Sequence, residues 1–150
     1  MEALDRRLVD LLAADGRMSF TDLGKATGLS TSAVHQRVRR LEERGVITGY
    51  QAIVSPEALG LTLTALISVT PLDPAAPDDV PDRLEGISEL EACHSVAGDD
   101  SYVLKARVGT PSDLEALLAR IRAVANVSTR TTVVLSTPWE GRPASSASSA

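Results

Sequence analysis

Apolar residues recur with a helical period over the first fifty positions and switch to alternation beyond about residue 60. Leu4, Leu8, Leu11 and Leu12 form one stripe. They predict a helix from about Asp5 to Ala14, with Asp5 as N-cap and Gly16 as stop. A second helix is predicted from Ser19, which with Asp22 three residues on has the form of a capping box. Phe20, Leu23 and Ala26 are its apolar set, and Gly28 in Thr27-Gly28-Leu29 can take the positive φ of a tight turn. Ser30 caps a third helix, in which Val34, Val38 and Leu41 recur at i, i+4 and i+7. Turning roughly 100° per residue puts Ser32, Gln36, Arg39 and Glu43 on the far side. Gly45 ends this helix, and Val46 to Ala52 is β-prone, which predicts a small wing or an outgoing strand. Helix, short glycine turn and a helix with a polar outer face form the helix-turn-helix pattern.

The second half alternates. Pro56 to Leu59 reads as a helical turn closed by Gly60. From Leu61 to Thr70 a strand puts Leu63, Ala65, Ile67 and Val69 on one face and Thr64, Leu66, Ser68 and Thr70 on the other. Asp78 and Asp79 start a helix with Val80, Leu84 and Ile87 in a stripe. Strands follow over Leu90–Ala97 and Tyr102–Val108, joined as a hairpin by Gly98-Asp99-Asp100-Ser101. Ser112 is the predicted cap of a helix with Leu114, Leu117, Leu118 and Ile121 inward, and Val127 to Thr137 is a fourth strand. The order β-α-β-β-α-β is the ferredoxin-like split unit, an antiparallel sheet with both helices on one face. Leu66, Val103 and Val134 on the other face call for a cover, most simply a second subunit. The expected class is therefore α+β. Residues 1–50 form a winged helix-turn-helix, 51–60 a linker and 61–137 the sheet domain. The Pro/Ser/Ala-rich 138–150 is a disordered tail.

Leu4-Asp5-Arg6-Arg7-Leu8, Leu23-Gly24-Lys25-Ala26-Thr27-Gly28-Leu29-Ser30, Val34-His35-Gln36-Arg37-Val38-Arg39-Arg40-Leu41-Glu42 and Gly45-Val46-Ile47-Thr48-Gly49-Tyr50 occur in this order and spacing. In them the chain resembles the leucine-responsive/asparagine-responsive (Lrp/AsnC, feast/famine) family of transcriptional regulators, over about residues 3–137. The resemblance implies that the sheet domain is the family's ligand-sensing and oligomerising RAM domain. It implies a homodimer, with a homo-octamer or higher assembly, acting on double-stranded DNA. It also implies an amino-acid pocket at a subunit interface, formed by the hairpin loop and the start of the last strand.

Charge sharpens this reading. The net charge is −5, which by itself disfavours nucleic acid, but residues 1–50 carry eight Lys/Arg against seven Asp/Glu, and residues 51–150 seven against thirteen. A locally basic helix with Arg37, Arg39, Arg40 and Arg44 thus sits on an acidic body. Ser32, Gln36 and Arg39 are candidates to read base edges, with Thr31 beside them at the helix start. Arg40, Arg44 and Lys25 are candidates for phosphates, with His35 on the flank. One cysteine, Cys93, excludes an intramolecular disulfide and fits a reducing compartment. No secretion signal and no apolar run near the ~20 residues of a membrane span is visible. A cytoplasmic, nucleoid-associated protein of a bacterium or archaeon with no membrane partner is expected.

For an effector, an α-amino acid needs donors for its carboxylate and acceptors for its ammonium. Gly98 allows close approach, Asp99 and Asp100 offer carboxylates, and Ser101 and Tyr102 complete the turn. Thr129 and Thr131 offer hydroxyls, while Arg130 between them should point to the opposite face. Many family members carry an aromatic residue and then an acid where this chain has Asp100 and Ser101. The bland alternative is an ordinary acidic hairpin turn. Cys93 and His94 are strand neighbours on opposite faces and cannot act as a dyad. With His35 they are too few soft ligands for zinc. No nucleophile motif or phosphate loop occurs, so neither an enzyme nor a cofactor beyond an amino-acid effector is expected. The other functional reading is an architectural protein that bridges or wraps DNA with little sequence preference and no effector.

Overall fold

The computed structural model describes residues 1–143. The chain divides into two compact units, Met1–Ile53 with the described tail from Trp139, and Val54–Pro138.

The first unit holds three helices, α1 (Ala3–Ala14), α2 (Phe20–Thr27) and α3 (Thr31–Glu43). Leu8 and Leu12 of α1, Leu23 of α2 and Val34, Val38 and Leu41 of α3 are its buried core, with Phe20, Leu29 and Ile47 packed around it. Most of the expected stripes therefore form the core; Leu4 lies outside it and Ala26 is exposed. The start of α1 differs from expectation. Its N-cap is Glu2, and Asp5 lies inside the first turn, buried. An acid there suits the helix dipole, and a distant arginine, described below, holds it. The segment 46–52 forms no strand; a β ladder needs a partner strand, and the unit supplies none.

The second unit is a four-stranded sheet in the order β2 (Leu90–Ser95), β3 (Tyr102–Val108), β1 (Leu63–Pro71), β4 (Val127–Val134). All three pairings are antiparallel. Helices α4 (Val80–Leu84) and α5 (Pro111–Ala125) cover one face. Ala65, Ile67, Val69, Leu104 and Ala106 meet Val80, Leu84, Leu117 and Ile121 there in an aliphatic core. This is the expected βαββαβ arrangement. Residue Ser112 does not cap α5. Thr110 does, in a capping box with Asp113 and with Pro111 in the first turn; a reciprocal box satisfies two backbone donors where a lone serine satisfies one. The last strand stops at Val134, three residues short of Thr137.

The uncovered face carries Thr64, Leu66 and Ser68 of β1 opposite Arg107, Lys105 and Val103. On its other side it carries Arg130, Thr132 and Val134. Leu66 remains 40% exposed. Glu91, beside a register shift in β2, lies 3.5 Å from Lys105 and 2.6 Å from Arg107. Of the expected tail, residues 138–143 are neither helix nor strand, and Arg142 lies over the Trp139 ring at 4.1 Å. Residues 144–150 lie outside the described residues.

Candidate functional site

Two local devices build the turn that aims α3. The Ser19 hydroxyl accepts from the Asp22 amide and the Ser30 hydroxyl from the Ala33 amide, so both helices start where a serine side chain satisfies an orphan donor. Between them Gly28 takes φ 74°, and the Leu29 amide donates to the Gly24 carbonyl at 3.0 Å. The α2 backbone approaches so closely at Gly24 that a Cβ there would lie 2.6 Å from the Leu29 carbonyl oxygen.

Because Val34, Val38 and Leu41 are buried, the opposite side of α3 is presented outward. Thr31, Ser32, His35, Gln36, Arg39, Arg40 and Arg44 are all exposed, as is Lys25 on α2. Ser32 Oγ lies 3.2 Å from Ser30 Oγ. Arg39 Nε donates to Glu43 Oε1 at 2.8 Å one turn on, an exposed pair of the kind that contributes little to stability. Lys25 Nζ is 3.9 Å from Asp22. The His35 ring meets Phe20 edge-on, with centroids 5.4 Å apart, so packing orients it. Arg40 and Arg44 have no ion-pair partner among the described residues. Arg37 departs from the expected basic patch. Its guanidinium donates to Glu2 and Asp5, which raise its pKa and neutralise its charge locally. The outward basic groups of α3 are therefore Arg40 and Arg44, with Arg39 exposed beside Glu43.

The expected effector residues are divided by the sheet. Gly98 and Asp99 sit exposed in the hairpin turn. The Ser101 amide donates to the Val69 carbonyl, tying the turn to β1. Asp100 lies with Arg130, whose Nη2 donates to it at 2.5 Å, and with Thr70 Oγ1 at 3.4 Å. Tyr102 points to the helix-covered face, where its hydroxyl donates to Asp78. Thr129 and Thr131 pair with Val69 and Ile67, and so lie on that same helix-covered side; Thr129 accepts from Arg122 Nη1 at 3.1 Å. Arg130 does point away from its threonine neighbours, and that is the side on which Asp100 waits. Arg130 and Thr70 thus stand beside Asp100; alternation gave the face of Arg130, but only the register brings it to Asp100. A separate groove of about 340 Å³ opens between α4 and β2, lined by Pro81, Leu84, Leu90 and Cys93 among others, with no residue of the hairpin turn. Partial burial pushes the Cys93 thiol pKa up. Among the described residues no group of three His, Cys, Asp or Glu could hold a metal ion, and no helix is long and apolar enough to cross a membrane.

The two tyrosines give a titration prediction. Tyr50 is pushed up to about 12 by partial desolvation and then by its bond to Glu42. Tyr102 is pushed up to about 12 chiefly by its bond to Asp78. A raised phenol pKa favours the neutral form in the folded state. Its stabilisation is whole below the unfolded value of about 10 and is lost as pH rises toward the folded value. With no other tyrosine in the chain, phenolate ultraviolet absorbance of the native protein should rise near pH 12. A full two-tyrosine step near pH 10 in the folded protein would contradict both environments, and a half-sized step one of them.

A helix-turn-helix with an open polar face, in a chain that also carries a ferredoxin-like sheet unit, is the make-up of a two-part transcriptional regulator. Comparison with known proteins agrees. Residues 1–42 match the AsnC-type helix-turn-helix domain and residues 62–144 the Lrp/AsnC ligand binding domain. The HTH-type transcriptional regulator LrpA of Mycobacterium tuberculosis is 54% identical over 142 residues, 95% of each chain. The leucine-responsive regulatory protein of Escherichia coli K12 is 36% identical over 140 residues, covering 90% of this chain and 85% of that one. A solved feast or famine regulatory protein of M. tuberculosis, complexed with L-methionine, matches with a TM-score of 0.95 and 53% identity over 97% of this chain and 99% of that one. The chain belongs to the Lrp/AsnC family of transcriptional regulators.

Proposed function

We propose that this protein reads operator DNA as a homodimer, with residues 1–50 as the reading domain, 51–60 as linker and 61–137 as the sensing and assembly domain. Ser32, Gln36 and Arg39 take base edges in the major groove, with Thr31 alongside. Arg40, Arg44 and Lys25 take phosphates, and His35 adds one where its packing allows. The observation that carries this reading is the orientation of α3: its apolar stripe is buried and its hydroxyl, amide and guanidinium groups face outward. The second subunit covers the outer sheet face at Leu66, Val103 and Val134, and further copies extend the assembly to an octamer or beyond. The protein acts in the cytoplasm, on the nucleoid.

The effector is an α-amino acid held at the turn Gly98–Tyr102, with its ammonium on Asp99 or Asp100. The L-methionine in the M. tuberculosis relative makes an apolar side chain the first choice. Thr129 and Thr131 take part where a neighbouring subunit brings the β4 edge to the ligand. A thermal-shift panel of the amino acids against the full-length protein tests this. A ligand at ~100 times its Kd stabilises the native state by about 2.7 kcal/mol, a clear rise in midpoint. One hit, lost in Asp99→Ala or Asp100→Ala, is the expected result. No shift at millimolar concentrations removes the effector from this reading and leaves the DNA function on α3 alone.

A further inference from the structure

Arg37 is the arginine of α3 turned away from its polar outer face. With Val34 set to zero and about 100° per residue, Ser32, Gln36 and Arg39 lie at roughly 140–200° and Arg37 near 300°. It flanks the buried stripe on the side that meets α1. There its Nη1 donates to Asp5 Oδ1 at 2.8 Å and to Glu2 Oε2 at 2.9 Å. The Asp5 side chain keeps 12% of its exposure and Arg37 21%, whereas Glu2 keeps 72%. Asp5 is also the one buried charged residue among the described residues. The two bonds join α3 to the N-cap and the first turn of α1.

Leu8 and Leu12 of α1 also share an aliphatic core with the stripe Val34, Val38 and Leu41 of α3. Aliphatic packing is strong but not directional, so it fixes the distance between helices better than their roll. A planar guanidinium held by carboxylates fixes direction as well. The roll matters at the reading face. A helix is about 5–6 Å in radius with its side chains, so a roll of ~20° carries a side-chain tip by about 2 Å. A base-edge hydrogen bond tolerates only a few tenths of an ångström.

We propose that Arg37, held by Asp5 and Glu2, is the positioning residue that sets the roll of α3 and so aims Ser32, Gln36 and Arg39 at the base edges. This rests on the reading of α3 as the DNA-recognition helix. Arg37 supplies no phosphate contact, so its loss affects discrimination and spares general attraction to DNA.

The test begins with selection of preferred duplexes from a random library by the full-length protein. Arg37→Lys and Asp5→Asn are then titrated with the selected duplex and with a random one across a salt series. Lysine keeps the charge and the stem but loses the rigid planar head. The expected result is a loss of about tenfold or more on the selected duplex, with random-duplex affinity and salt slope unchanged. Arg40→Ala serves as contrast, because losing a phosphate contact weakens both duplexes and reduces the slope. A variant that merely melts lower, yet is folded at the assay temperature, moves neither readout. Full discrimination in both variants overturns the proposal, and so does a parallel loss on both duplexes. An Arg37→Lys protein that does not fold overturns it too, since the pair would then hold the unit together and not orient one helix. Amide residual dipolar couplings of α3 relative to α1 give an arm without DNA. They should change in Arg37→Lys, and identical couplings refute the proposal. If the wild type selects no sequence, the reading of α3 as sequence-specific fails, while the couplings still decide whether Arg37 sets its roll.

Discussion

Gly24→Val is expected to unfold the first unit and abolish DNA binding while leaving the second unit folded. The new Cβ would stand 2.6 Å from the Leu29 carbonyl oxygen, and neither atom has a flexible tail with which to move aside. The Leu29 amide also donates to the Gly24 carbonyl, so separating the segments breaks the bond that closes the turn. Overpacking of this kind costs about 1–3 kcal/mol and sometimes more. A unit of about 50 residues has little stability to lose. Valine is the informative choice because its helix propensity is poor; alanine would offset part of the clash with about 1 kcal/mol of helix propensity. Gly28→Ala separates shape from conformation. No atom lies within 4 Å of a Cβ at Gly28, but its φ is 74°, so the cost is the left-handed conformation alone, about 1–2 kcal/mol. Amide dispersion of residues 1–53 in a heteronuclear spectrum is the measurement. Sharp, dispersed signals from α2 and α3 in Gly24→Val would refute the close approach.

Local chemistry made most of the first unit legible in the sequence. Ser19 and Ser30 cap because their partners lie three residues away, and the buried stripes follow from spacing within one helix. Asp5 misled for the opposite reason. It has the composition of an N-cap, but the guanidinium that holds it is 32 residues distant, and no local rule reaches that far. The α5 cap was a choice between adjacent candidates; Thr110 with Asp113 carried the stronger, reciprocal signal. Alternation placed the residues of β1 and β4 on their faces correctly, down to Arg130. What alternation lacks is register. Only the pairing of Ser68 with Arg130 and of Val69 with Tyr102 brings Asp100 beside Arg130, and it sends Tyr102 to Asp78 on the far side. The segment 46–52 has β-prone residues and no strand, because a strand is a property of two segments and not of one.

Arg39→Ala carries the largest expected loss on DNA. A bidentate guanidinium contact to a guanine is worth about 1–3 kcal/mol of discrimination. In the proposed homodimer the substitution enters both half-sites, so the loss on a two-fold symmetric operator is about 2–6 kcal/mol if the sites contribute independently. Breaking the contact with Glu43 does not cancel this. Arg39 and Glu43 are 71% and 58% exposed, and pairs so exposed contribute about 0–1 kcal/mol. Glu43→Gln therefore serves as the control, with operator affinity expected unchanged or slightly tighter because a carboxylate is removed from the face that meets DNA. Fluorescence anisotropy at one fixed salt concentration, on operator and on random duplex, separates the outcomes. A base-reading Arg39 makes the operator loss exceed the random-duplex loss by tenfold or more, whereas a phosphate-contacting Arg39 weakens both alike. Wild-type operator affinity in Arg39→Ala would move base reading to Ser32 and Gln36, which sit nearer the start of α3, and would leave Arg39 as a solvated partner of Glu43.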